Sequence, residues 1–413
     1  MAPVPRVEWG FFPLDEELAL LPGSLTPRQQ DHLVHLGSCL PFEQAAKMLE
    51  CLLGVQVSEA LVRRHTEAAG AEVEAVQTAK ASEEAKPSAK SVARLAVSAD
   101  GAYVPLLKGQ WAEVRTVAIG EVQQERTAQG EQEVHVRHLS YFSRRTDAAT
   151  FADLAEVEMR RRGVSQAERV CAVTDGADWL QGFIDLHRPD ALRILDFPHA
   201  AEHVSALLQA LEQAEITLPP DLLCRLLHRL KHHGPRLMLR LLDRLPEPIA
   251  QQEGVREHVG YLRKRAALMQ YQDYRREGWP IGSGMVESAN KIVVEARLKG
   301  AGMHWQPSHV NPMLALRNGV CNERWQETWQ ERVIEQRRQR LLQQQLRARL
   351  RCQQVLSSCM LLLLQFLPPT PKPSLPPPRP LAPAATLPGS CRPSPHHPWK
   401  RGPACRPKSG AKT

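Results

Sequence analysis

Two aspartates, each followed by glycine, and a glutamate preceded by a glycine-serine-glycine turn are the side chains best suited to act together. They are Asp100 in "VSADGAYV", Asp175 in "AVTDGADW" and Glu287 in "GSGMVESANK". Each aspartate closes a β-branched run, and the glycine after it lets the backbone turn sharply, so both are expected to end strands. If those strands are neighbours, both carboxylates emerge at the same end of one sheet. Glu287 opens a helix after its turn and supplies a third acid. Three converging carboxylates suit hard divalent cations, because Mg²⁺ prefers oxygen ligands and is commonly held by carboxylates together with phosphate. Two such ions about 3.5–4 Å apart can activate an attacking oxygen and stabilise the leaving one in a displacement at phosphorus. The expected chemistry is phosphoryl transfer, with Asp100, Asp175 and Glu287 as catalytic residues and metal ligands at once. A single Asp-Gly pair is an ordinary turn, so the inference rests on the set of three.

A second metal-like pattern competes with this one. "HAAEH" at 199–203 matches H-x-x-E-H, the inverted zinc-peptidase arrangement, with His199 and His203 on one helix face and Glu202 as base. No distinctive third ligand follows it. Asp196 and His199 also form a D-x-x-H unit at an expected strand end.

The elements that must position these groups follow from the texture of the chain. Its 413 residues allow two or three domains with a substantial core, and a hydrophobic content of 43% is that of a globular protein. The net charge is +8, yet residues 368–413 carry Lys and Arg with no Asp or Glu, so the tail accounts for the surplus. Nucleic-acid binding must then rest on local basic patches such as "MRRRG", "RLLHRLKHHGPRLMLRLLDR" and "QRRQRLLQQQLRARLR". The cysteines are scattered without a C-x-x-C pair, which argues against a zinc ribbon or disulfide framework and fits a reducing cytoplasm. No signal peptide is evident, and "MLLLLQFL" is far shorter than the roughly 20 residues a membrane span needs. A cytoplasmic protein without a membrane partner is expected.

Residues 1–24 read as an irregular segment. Thr26–Pro27 is a cap and first-turn pair, and 25–92 is expected to be a helical region. Within it, "PFEQAAKMLECLLGVQVSEALVRRHTEAAG" has the outline of a helix-turn-helix, with a turn at Gly54, a cap at Ser58 and Arg63 and Arg64 on the second helix toward DNA. An ordinary helical hairpin has the same outline. Residues 93–198 alternate as strands and helices, in the order of three strands, helix, strand, helix, strand. This points to an α/β, ribonuclease-H-like mixed-sheet core. Residues 199–280 read as helical and cation-rich, an insertion. Residues 281–356 complete the core with the helix that carries Glu287, expected to stop at Gly300, and with C-terminal helices. Residues 357–413, rich in proline and basic, are expected to be disordered.

The stretches "VSADGAYVPLLKGQWAEVRTVAIGEV", "VTDGADWLQGFIDLHRPDALRILDFPHAAEHV" and "GSGMVESANKIVVEARLKGAGMHWQPSHVNPMLALRNGVCNERW" together resemble the DDE transposases of bacterial insertion sequences. The nearest group is the ISKra type, with a more distant similarity to Mutator-like and hAT-like enzymes. The resemblance covers about residues 8–345 and rests on three motifs in the family's order. It implies a ribonuclease-H-like core with a helical insertion between the second Asp and the Glu. It also implies that Asp100, Asp175 and Glu287 bind two Mg²⁺ or Mn²⁺ ions, that Asp196 and His199 support the site, and that Arg297, Lys299, His304 and Trp305 contact DNA. Trp179, Trp279 and Trp305 are candidates to stack on an unpaired base. The implied reaction cuts DNA at the element's ends and joins the freed 3′-hydroxyl to target DNA without a covalent protein intermediate. The implied partners are transposon-end and target DNA and further copies of the chain, with no small-molecule substrate, and the implied place of work is the bacterial nucleoid. Family members carry a cysteine-containing, zinc-finger-like segment before the stretch that resembles "EWGFFPLDEELAL". Its absence here, with the unfamiliar tail, leaves a decayed or domesticated DNA-binding protein as the alternative.

Overall fold

The computed structural model describes residues 25–82, 92–126 and 132–366. The expectations for 1–24, and those for the tail from 367 onward, fall outside the described residues, whereas residues 357–366, expected to belong to the disordered tail, continue the helix Trp325–Phe366. The order of elements in the central region is the expected one. β1 (Arg94–Pro105), β2 (Trp111–Arg126) and β3 (Gln132–Arg144) form an antiparallel meander, and β4 (Arg169–Thr174) and β5 (Leu192–Leu195) add in parallel on the other side of β1. The strand order is therefore β3-β2-β1-β4-β5, a five-stranded mixed sheet.

Period-two alternation sorts this sheet into two buried faces. Leu95, Val97 and Ala99 of β1, Val117 and Ile119 of β2 and Val170 and Ala172 of β4 face one core. That core is closed by Phe151, Ala155 and Met159 of the helix Ala148–Arg161 and by Leu180, Phe183 and Ile184 of the helix Asp178–His187. These helices are the crossovers that parallel strands require. Asp147 caps the first, its Oδ1 accepting from the Thr150 N–H at 3.0 Å. The intervening residues Ala96, Ala102, Val104, Val114, Ala118, Cys171 and Val173 face the opposite core, under the helix Phe197–Gln213, the helix Glu253–Lys264 and the segment that carries Glu287. The helical stretch 199–280 therefore shares its hydrophobic core with the sheet.

Two expectations are corrected here. Asp100 does not end its strand: β1 runs on through Gly101 to Pro105, with Asp100 opposite Thr116 and Gly101 opposite Arg115. The glycine serves close approach and not a turn, because the Glu113 carboxylate fills the space a side chain at 101 would need. The helix of Glu287 also differs from an uninterrupted run to Gly300. It is α-helical over Gly284–Ala289, π-helical over Asn290–Glu295 and α-helical again only to Leu298. The residue with left-handed backbone beyond it is Gly302, at φ 73°.

The N-terminal helices follow their caps. Thr26 forms a capping box with Gln29 ahead of Pro27–Cys39, Gly54 ends Phe42–Leu53 at φ 64°, and Ser58 caps Glu59–Ala81. They share one core with a helix remote in sequence: Leu33, Val34, Leu49, Val62 and Val73 pack with Ala315 and Leu316 of Pro307–Cys321. Arg332, near the start of the helix Trp325–Phe366, pairs with Glu72. Chain through residue 345 forms one compact unit, and a second begins at Leu346.

Phe151 is fully buried and stacks on Phe183, with ring centroids 5.8 Å apart. Phe151→Ala is expected to cost about 3–5 kcal/mol of stability, as measured by denaturant unfolding with an unchanged m-value.

Candidate functional site

Asp100 and Asp175 are brought together by strand pairing. β1 and β4 run parallel with Leu95 opposite Val170 and Val97 opposite Ala172, and the same offset carried forward sets Asp100 opposite Asp175. Alternation places both on one face, because Ala96 and Ala102 of β1 and Cys171 and Val173 of β4 turn to the core beneath which the Glu287 segment packs. The Asp100 Oδ1 accepts from the Gly101 N–H at 2.7 Å and its Oδ2 from the Asn290 amide at 3.1 Å. Burial pushes the Asp100 carboxyl above the usual range, and the negative charges of Asp175, Glu287 and Glu113 push the same way against the Gly101 hydrogen bond. Asp175 and Glu287 thus both act electrostatically on Asp100.

Asp175 is the first residue past β4. Its Oδ1 accepts from the Ala177 N–H at 2.8 Å, and Gly176 takes φ 80°, a conformation that favours glycine. Arg265 clamps this turn, donating to the Gly176 carbonyl at 2.7 and 3.1 Å while its guanidinium lies 3.8 Å over the Tyr261 ring. The Tyr261 hydroxyl donates to the Asp175 carbonyl. Glu287 is solvent-exposed, with its Oε1 3.5 Å from the Ser283 hydroxyl. No Lys, Arg or His forms an ion pair with Asp100, Asp175 or Glu287 among the described residues. In this arrangement no group of three His, Cys, Asp or Glu among the described residues stands close enough together to hold a metal ion.

Asp196 has the supporting place the D-x-x-H pattern suggested. It is 4% exposed; its Oδ1 accepts from the Ser283 N–H at 2.7 Å and its Oδ2 from the His199 N–H at 3.0 Å. His199 contributes through its backbone, whereas its ring faces Glu202, with Nδ1 to Oε2 at 3.5 Å. His203 stacks on Tyr261 at 3.5 Å, and its Nδ1 meets the His258 Nδ1 at 3.0 Å. Burial lowers the His203 pKa to about 4, helped by the neighbouring positive charges of His199, His258 and Arg265. The "HAAEH" pair therefore engages a third histidine, but no three-ligand set among the described residues.

The residues expected to meet DNA divide. Arg63, Arg297, His304 and Trp305 line one cavity of about 480 Å³. Arg64 lines the adjoining one. Lys299 is ion-paired to Glu295 at 2.9 Å. Arg297 lies inside the protein at 2% exposure, not on a solvated helix face. Trp279 and Trp305 are buried packing residues, and Arg94 covers the Trp279 ring at 3.9 Å. Trp179 packs edge-on against Phe151.

Three positioning residues escaped the sequence reading. Asn290 stands three residues after Glu287, a spacing that shares a helix face and could have found it. Tyr261 and Arg265 reach the Asp175 turn from a distant helical stretch with no local signal.

A family model matches residues 23–321, and the chain belongs to the uncharacterised protein family UPF0236. No curated protein matches it. No helix among the described residues is long and apolar enough to cross a membrane.

Asp196→Ala leaves the buried Ser283 N–H and the half-buried His199 N–H unpaired and is expected to destabilise the protein by about 1–3 kcal/mol for the buried donor, measured by chemical unfolding. Asp100→Asn is expected to raise the unfolding temperature at neutral pH. A carboxyl whose folded pKa is raised stabilises least above that pKa, so the gain should shrink as the pH falls into the carboxylate range. A gain that grows in acid would contradict the raised Asp100 pKa.

Proposed function

We propose that this protein is a metal-dependent DDE transposase, which cuts DNA and transfers the cut strand at the site formed around Asp100, Asp175 and Glu287. The carrying observation is that Asp100 on β1, and Asp175 one residue past the adjacent parallel strand β4, share one electrostatic neighbourhood with a glutamate more than a hundred residues later. The strand order β3-β2-β1-β4-β5, with three antiparallel strands and two parallel ones, supports reading the sheet as ribonuclease-H-like. Helices between the second aspartate and the glutamate support reading 199–280 as the family's helical insertion.

The donor set supports a hard divalent cation, since it is three carboxylates with no ion-paired Lys, Arg or His among the described residues, one of them raised by burial and by the charge of the others. Asp100, Asp175 and Glu287 would hold Mg²⁺ or Mn²⁺ once the Glu287 side chain turns inward, and the ion would supply Lewis acidity at the scissile phosphate. The chain's own residues prepare the site. Asn290 and the Gly101 N–H orient the Asp100 carboxylate, Arg265 and Tyr261 hold the Asp175 turn, and Asp196 holds the turn that presents Glu287. Glu287 is tethered only by a long hydroxyl contact, so its carboxylate is free to turn inward toward the two aspartates. Arg63, Arg64, Arg297 and His304 provide positive charge for DNA phosphates, and copies of the chain act together on paired ends.

The test is Mg²⁺- or Mn²⁺-dependent nicking of DNA that carries the gene's own flanking ends. Cleavage should fall to background in Glu287→Ala while DNA binding persists. Binding without cleavage in both proteins would favour a domesticated DNA-binding protein.

A further inference from the structure

Arg297 is a buried cation without an ion-pair partner among the described residues. Its Nε donates to the Gly37 carbonyl at 3.1 Å, its Nη1 lies 4.0 Å from the Met303 sulfur, and its Nη2 has no partner. Its guanidinium lies 4.6 Å from the Phe42 ring and 5.1 Å from the Trp305 ring. Those faces soften the loss of water but do not neutralise the charge. A buried charge left uncompensated is costly, and this one borders a cavity of about 480 Å³. The rim carries Arg63 and His304, both exposed and without ion pairs among the described residues. Of the two acids on the wall, Glu67 is ion-paired to His309 at 2.9 Å and Glu59 sits on the outer helix turn.

We propose that this cavity is a phosphate-binding site, with Arg297 as its buried anchor and Arg63 and His304 as its rim donors. A planar guanidinium with a free Nη suits the paired oxygens of a tetrahedral oxyanion, which a carboxylate-only or apolar ligand would not exploit as fully. Both aromatic faces are already spent on Arg297, so the site takes phosphate and not a stacked base. Arg64 in the adjoining cavity continues the positive surface outward. Two sources share this chemistry: a phosphodiester in a nucleic-acid strand and free phosphate. The site uses none of Asp100, Asp175 or Glu287, so it stands whether or not the chain cuts DNA.

The test is isothermal titration of the full chain with inorganic phosphate and, separately, with a short oligothymidylate. Saturable binding of inorganic phosphate identifies the free ion as a ligand, and binding of the oligonucleotide alone identifies the strand. Either should weaken about tenfold in Arg63→Ala and in His304→Ala, a change of about 1.4 kcal/mol, and more in Arg297→Lys. The proposal is overturned if neither probe binds in the millimolar range. It is equally overturned if the exposed-residue variants Arg63→Ala and His304→Ala, folded by circular dichroism, bind unchanged, a result that does not depend on whether the Arg297 variant folds.

Discussion

The buried carboxylate of Asp196 is the constraint on which the site depends. Its backbone N–H continues from the sheet by donating to the Thr174 carbonyl, one residue before Asp175. Its two oxygens then hold the start of the helix Phe197–Gln213 and the Ser283 N–H of the turn before Glu287. One residue thus joins the end of β4, the first turn of a helix and the loop of the third acid, and the Phe197 N–H bonded to the Ile281 carbonyl at 2.9 Å reinforces the same junction. Hydrogen bonds from backbone donors to a buried side chain are strong and directional, so the geometry of this junction is narrowly set.

A second dependence runs through the π-helical turn. Widening the helix at Asn290–Glu295 releases carbonyls from the ordinary ladder, and buried Arg317 takes them up, donating to Val293 at 3.3 Å and to Ile292. Arg317 lies on Pro307–Cys321, the helix that also completes the core of the N-terminal helices. Inserted turns of this kind are frequent at functional sites. Here the insertion lies between Glu287 and Arg297, which reaches the Gly37 carbonyl in the N-terminal helices.

The two faces of the sheet are used differently. One is closed by aromatic and aliphatic packing from the two crossover helices, including the stack of Phe151 on Phe183. The other carries the acids at its margin, where Asp100 and Asp175 are only partly covered and Glu287 is open.

Local signals in the sequence sufficed wherever the physics is local. Thr26 with Pro27, Gly54, Ser58 and Asp147 mark helix ends because each satisfies or terminates backbone hydrogen bonds within a turn. Alternation in β1 to β4 marks strands, and the order of elements follows from it. Alternation could not say where β1 stops, because Gly101 is demanded by the Glu113 side chain of the neighbouring strand and not by a turn. The π-helical turn is equally invisible, since it depends on Arg317 more than twenty residues later. By itself, the sequence determined which acids have the right chemistry and which elements carry them. Only the tertiary structure decided that β1 and β4 are neighbours, that Asn290, Tyr261 and Arg265 hold the acids, and that Arg63 and Arg297 share a cavity. Those decisions belong to packing between segments far apart in the chain, where complementary shape and buried hydrogen bonds, not local propensity, set which surfaces meet.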